Sequence, residues 1–352
     1  MPRPVLALAA LAALACPDAH ADDAPTGDVI AIHIVSRVGT TGAPDDRPKR
    51  AREDQPVTLF AAVTIRRGKD TYVVADESPI VIDGKKITTH AWTDAPSLAL
   101  AWNRIEPAVA DMSNTSSGQF AFEAIDYRAT AIANAAGKTA LAADVRPTLT
   151  PDHGGGVGTM RYQLSVTAGG KTITTPGTEA RRGRGSGGLT DAVHRVSIRR
   201  DDTYLGYLTE LYGQPYIWAS AGTTDATHQS ERLEGADCAD FVVYGARRMG
   251  MKVPYTWTAE LPRYAKTLAK GEPDGDGVYR DAHGDAIAFT RVGDLILFPR
   301  HVGVLVEDRG TRGVLDDQDI IMHALFDTPK EVAIKDSGYD NLPISVLRWP
   351  TR

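Results

Sequence analysis

Cysteine is almost absent from this chain, with two in 352 residues, Cys16 and Cys238. A disulfide-stapled domain is therefore excluded, and no Cys-x-x-Cys pair offers a zinc or redox site. Aromatic residues are also few, at 7%. The apolar run Val5 to Ala15 stops at eleven residues, where a membrane span needs about 20. Positive charge is in deficit: 39 Lys and Arg against 45 Asp and Glu leave a net charge of −6, which argues against a nucleic-acid partner. What the chain does have is turn residues, 33 Gly and 21 Pro, and a 42% hydrophobic content sufficient for two packed cores.

The first segment reads as an export signal, expected at residues 1–21. It carries one positive charge at Arg3, then the apolar run, then Ala19-His20-Ala21 as a small-x-small cleavage site before Asp22 and Asp23. Acylation at Cys16 is the weaker alternative, because Ala13 stands where lipoprotein signals usually have Leu. The mature chain is then expected to be periplasmic or secreted, with no integral membrane segment and with Cys238 as its lone thiol. An exported protein seldom keeps such a thiol without cause, since it is open to oxidation.

Residues 22–200 read as a β-sandwich-like domain of short strands, among them Val57 to Ile65, Thr71 to Ala75, Ile80 to Ile82, Leu98 to Trp102, Phe120 to Ile125 and Tyr162 to Thr167. Within it, residues 175–190 carry Arg181, Arg182 and Arg184 among Gly, Ser and Thr, and read as a flexible hairpin loop. After Asp201 the pattern turns to mixed α and β. Helices are expected after the cap at Asp202 or Thr203, over Asp237 to Met249, and after Thr258. Strands follow at Asp294 to Pro299, His301 to Glu307, Asp319 to Phe326, Glu331 to Lys335 and Ile344 to Leu347. Helices followed by a run of strands indicate an α+β class.

The segment Gly235-Ala236-Asp237-Cys238-Ala239-Asp240-Phe241 places Cys238 in a first helical turn behind an Asp cap. There the helix dipole and unpaired N–H groups favour a thiolate, while Asp237 and Asp240 oppose it. A nucleophilic Cys needs a base. His301 opens an apolar strand and His323 lies inside another, so each calls for a polar partner; His228 and His283 lie in polar loops and read as surface residues. One imidazole can take the thiol proton while the second fixes its tautomer. Zinc held by Cys238, His301 and His323 is the lesser reading, because the spacing is long and no His-Glu-x-x-His helix is present, so no metal or other cofactor is expected. Asp274-Gly275-Asp276-Gly277 lacks the remaining ligands of a calcium loop and reads as a turn.

Five motifs then occur in a telling order: Gly213-Gln214-Pro215-Tyr216-Ile217-Trp218, Asp237-Cys238-Ala239-Asp240-Phe241-Val242, Val292-Gly293-Asp294-Leu295, His301-Val302-Gly303-Val304 and Ile321-Met322-His323-Ala324. Together they resemble the NlpC-type cell-wall cysteine peptidases. The resemblance implies a papain-like, circularly permuted fold for residues 201–352. It further implies that Cys238 is the nucleophile, His301 its base, His323 the residue orienting that base, and Tyr216 a contributor to the oxyanion site. Asp237 would border the pocket and engage the free amine of a stem peptide, with Asp240 beside it as a second carboxylate. Trp218 reads as core packing.

Three departures stand out. The family has Ser-Gly where this chain has Ala239-Asp240, and Gly-Gly where it has Ala219-Ser220. Insertions at about 221–234 and 308–319 lengthen two connections, and the second could bring Gln318 or Asp319 into the place of His323. The implied function is an exported cysteine peptidase hydrolysing an amide in peptidoglycan stem peptides, of the D-γ-glutamyl-diaminopimelate type. The sandwich would restrict access or hold a wall or envelope protein partner. A catalytically idle wall-binding or scaffold protein, or a Cys-dependent amidase or acyltransferase on another substrate, is the alternative.

Overall fold

The computed structural model describes residues 27–183 and 185–350. The expected export signal with Cys16, together with Arg184, lies outside the described residues. Strand formation in the first half follows side-chain alternation. In Val57–Arg67, Leu59, Ala61, Val63 and Ile65 enter one core, while Phe60 and Ala62 enter a smaller one beneath Ile80–Ile82. This strand pairs antiparallel with Asp28–Val38, Asp70–Val74 and Ala140–Ala142. A second sheet runs in the order Lys49–Arg52, His194–Arg199, Gly158–Ala168, Ala99–Pro107, Tyr127–Ala131, with Lys171–Thr174 also on Gly158–Ala168. Leu100, Trp102, Leu164, Val166 and Val196 of this sheet share one core with Ile32, Ile34, Leu59 and Val63 of the first, so the two sheets pack face to face. The stretch Phe120 to Ile125, expected as a strand, forms only an isolated bridge at Thr115–Ala121.

The second half is built on a seven-stranded antiparallel sheet, in the order Tyr279–Arg280, Lys266–Pro273, Ile344–Arg348, Leu295–Phe298, His301–Glu307, Ile320–His323, Lys330–Ala333. It is buried on both faces. Leu295, Val302, Val304, Met322 and Leu347 meet helix α2, Cys238–Arg248. Ile296, Leu305, Ile321 and Val346 meet Tyr279, Ile287 and Leu315 on the other side. Leu315 belongs to the 308–319 insertion, which covers that second core. Asp274 accepts the N–H groups of Asp276 and Val278, so its Gly-rich stretch is the turn leading into Tyr279–Arg280.

The α+β, papain-like expectation is overturned: the chain is mostly β, 39% strand and 11% helix, with a curled sheet. Among the described residues only the single-turn Tyr204–Leu208, α1, and α2 are α-helical. The third expected helix is a 3₁₀ helix, Thr258–Arg263, containing Pro262. Proline there removes a backbone donor and blocks a regular α turn, and the chain passes into the strand Lys266–Pro273 instead. The two remaining helices start and stop on the residues that mark them. Thr203 accepts from Gly206 N and Asp237 from Asp240 N, and Gly213 and Gly250 follow with φ of 72° and 81°.

A buried polar interface joins the sandwich to the second half. Glu210, fully buried, accepts from Arg50 at 2.7 Å and from the Tyr244 hydroxyl, with Arg248 Nε 3.2 Å away. Arg161 donates to Leu233 O at 2.9 Å. The 175–190 stretch, expected to be a flexible hairpin, is tied down: Ser186 donates to Glu234 at 2.6 Å, Arg182 to Glu234 at 3.2 Å, and Arg181 to Ile125 O at 2.5 Å. Glu210→Ala would leave buried guanidinium groups without their shared anion. We expect it to cost about 3–5 kcal/mol in denaturant unfolding, with a single transition replaced by loosened coupling between the halves.

Candidate functional site

Helix α2 and the His301 hairpin converge at one end of the seven-stranded sheet. Asp237 caps α2, so Cys238 occupies its first turn, as the sequence indicates. Leu295–Phe298 returns into His301–Glu307 through Pro299-Arg300, with Phe298 paired opposite His301 and Arg300 at φ 72°. This tight return places Val302 in the same packed core as Cys238. His323, on the next strand, accepts or donates the 2.9 Å bond between its Nδ1 and His301 Nε2. The alternatives to His323 are engaged elsewhere: Asp319 accepts from Arg309 N and Asp316 N, and Gln318 bonds Asp317 and Lys335.

Burial decides the charge states. It pushes the Cys238 thiol well up, with Asp237 adding to the effect, so the resting group is a thiol and the expected thiolate is not favoured. Burial also holds His301 well below the ordinary imidazole value, His323 contributing, and lowers His323 to about 4. Both rings are therefore neutral. Nδ1 of His301 is buried and has no hydrogen-bond partner among the described residues. For that nitrogen to accept a proton, Nε2 must carry the ring hydrogen and donate it to His323.

Two tyrosines face the sulfur. Burial, then the neighbouring Cys238 and Asp237, push the Tyr216 hydroxyl up. Burial and Cys238 likewise raise Tyr339, whose ring stacks on His301 at 4.6 Å between centroids. Sequence reasoning missed Tyr339, which sits in a turn after Gly338 with no periodic pattern to single it out. Phe326 packs edge-on against Tyr216 at 5.4 Å. Trp218, expected in the core, is 47% exposed beside the site.

Beyond Asp237 lies a cleft of about 480 Å³ lined by Ser220, Asp225, His228, Asp237, Asp240 and Trp257 among others. The 221–234 insertion forms its wall. His228, expected on the surface, is buried and stacked on Tyr255 at 3.7 Å; burial lowers it to about 3. It is therefore neutral at 3.4 Å from Asp240 and forms no ion pair there. Two of the departures in sequence meet here. The Ser220 hydroxyl donates to Asp240 at 2.5 Å and accepts the N–H of Asp237 at 2.9 Å. The Asp240 carboxyl is thus matched by the Ser220 hydroxyl. Comparison with protein-family models, with curated proteins and with solved structures finds no match for the chain.

Burial raises Asp237 to about 6 and Asp240 well above the ordinary carboxylate value. The folded state therefore holds protons that the unfolded chain releases at about pH 4. Stability from this pair is full below that pH and is lost as the pH rises through about 6. Thermal unfolding measured from pH 4 to 8 should show this decline in the wild type and a flatter curve in Asp240→Asn.

Proposed function

We propose that the protein is a cysteine hydrolase acting on an amide, with Cys238 as nucleophile, His301 as general base and then acid, and His323 as the residue that orients it. The observation that carries this reading is the buried 2.9 Å His301–His323 bond on the hairpin whose next residue, Val302, shares one packed core with the lone described cysteine. The neutral His301 ring, with Nδ1 unpaired and Nε2 bonded to His323, would in this reading remove a proton as the thiol attacks, rather than store an ion pair.

In this reading sulfur adds to the carbonyl carbon as its proton passes to His301 Nδ1. The oxyanion is stabilised by the Tyr216 hydroxyl and the backbone N–H of Cys238. His301 then protonates the leaving amine as the C–N bond breaks. Water, deprotonated by the same ring, releases the acid and restores the thiol. The acidic cleft at Asp237 and Asp240 suits a substrate carrying an ammonium group. With the resemblance of the five motifs to NlpC-type peptidases, this favours peptidoglycan stem peptides, of the D-γ-glutamyl-diaminopimelate type, met after export.

Incubation of the protein with purified sacculi, followed by muropeptide separation, tests the reading. New amine-terminated fragments are expected with the wild type and none with Cys238→Ala. His301→Ala should lose roughly 10²–10⁴-fold in rate, and His323→Asn should retain more activity than His323→Ala. Iodoacetamide labelling of Cys238 in the free protein should be slow at pH 7 and rise only beyond about pH 8.5. Unaltered muropeptides with folded wild-type protein would refute the wall substrate.

A further inference from the structure

We infer that the N-terminal sandwich is part of the hydrolytic site, and that its Asn114 is a positioning residue for the start of the nucleophile helix; the inference rests on the hydrolase reading above. Strand Asp111–Ser113 of the first half pairs in parallel with Tyr216–Trp218, the strand that bears the oxyanion tyrosine. Tyr216 N donates to Ala110 O at 2.9 Å, and Asn114 N donates to Trp218 O at 3.1 Å. The first half thus supplies the strand paired with Tyr216–Trp218 in its two-stranded sheet, and Ala236 adds a single bridge to Tyr216.

Asn114 continues the contact with its side chain. It is 2% exposed and uses both ends of its amide. Nδ2 donates to Ala219 O at 2.8 Å and to Gln229 Oε1 at 2.9 Å, while Oδ1 accepts Glu123 N at 3.1 Å. Ala219 stands at φ 55°, a left-handed conformation that a residue with a Cβ rarely adopts and that surrounding contacts must hold. The kink at Ala219 is what turns the next residue, Ser220, toward α2. Its hydroxyl then receives the N–H of Asp237 and donates to Asp240, the residues on either side of Cys238 and Ala239.

The chain of contacts therefore runs from the sandwich through Asn114, the Ala219 kink and Ser220 to the helix start that presents the sulfur. Gln229, held by the same amide, also accepts Ala221 N at 3.2 Å and fixes the wall of the acidic cleft. Asn114 touches neither sulfur nor imidazole, so its effect is on where the reacting groups sit.

The test uses the full chain with Cys16→Ser, so that alkylation reads Cys238 alone. Asn114→Asp keeps the side-chain shape but replaces the amide donor with an acceptor facing Ala219 O. Asn114→Ala removes it. Each is compared with Glu331→Gln, which removes a pair with Arg200 elsewhere between the halves. In folded protein we expect both Asn114 variants to shift the pH profile of iodoacetamide labelling and to lower kcat roughly tenfold to a hundredfold, KM moving less, while Glu331→Gln keeps the wild-type profile. An unshifted labelling profile in a folded Asn114 variant, or an equal shift in Glu331→Gln, would overturn the inference. Because labelling needs no substrate, a wild type that cleaves no muropeptide refutes the wall substrate alone and leaves this inference standing or falling on the labelling data.

Discussion

A bond between two uncharged imidazoles organises one end of the seven-stranded sheet. His301 Nε2 and His323 Nδ1 can be joined only while one ring donates and the other accepts, and burial keeps both rings neutral so that this condition holds. Protonating either nitrogen of the pair from outside would place a charge among Phe298, Tyr339 and the sheet, where there is no carboxylate within the pair to receive it. The same bond fixes which nitrogen of His301 is left to face a reaction. Tyr339 and Phe298, stacked on that ring, limit its rotation.

The acidic side of α2 follows a different rule. Two carboxyls one helical turn apart, Asp237 and Asp240, would repel if both were ionised in a buried place. Ser220 lessens this by donating to one and accepting the backbone N–H of the other, and neutral His228 adds no charge. The helix start thereby presents both carboxyls to the cleft, and Asp237 also acts on the Cys238 thiol. A cationic substrate group entering the cleft would draw the Asp237 proton off, so binding and ionisation of the cleft are coupled through one side chain.

Much of this was legible in the residues. The Thr203 and Asp237 caps, the Gly213 and Gly250 stops and the strands around His301 and His323 lie where local pattern places them, because capping and alternation are short-range effects. The overall class was not legible. Pro262 sits in a stretch whose apolar spacing suits a helix, and it is pairing with the distant Ile344–Arg348 and with Tyr279–Arg280 that makes Lys266–Pro273 a strand. His228, Trp218 and Tyr339 were misplaced or missed for the same reason: their burial depends on which distant segment covers them, and neither loop carries a period. Asn114 is the extreme case, an ordinary loop asparagine until the sandwich is laid against Ala219.

That dependence bears on how a mostly β chain can hold this constellation at all. The proposed chemistry asks for one capped helix start, one tight two-strand return and one further strand to orient His301, and each is specified locally by its own residues. What surrounds them can vary, since function resides in the site and not in the class of the scaffold. Here the surroundings are a curled antiparallel sheet and a sandwich that lends a strand to Tyr216. Asn114 of the first half donates to the carbonyl of the Ala219 kink, and the Glu210 cluster joins the same two halves, so removing the sandwich would take away a contact that bears on the start of α2 and not merely access to it.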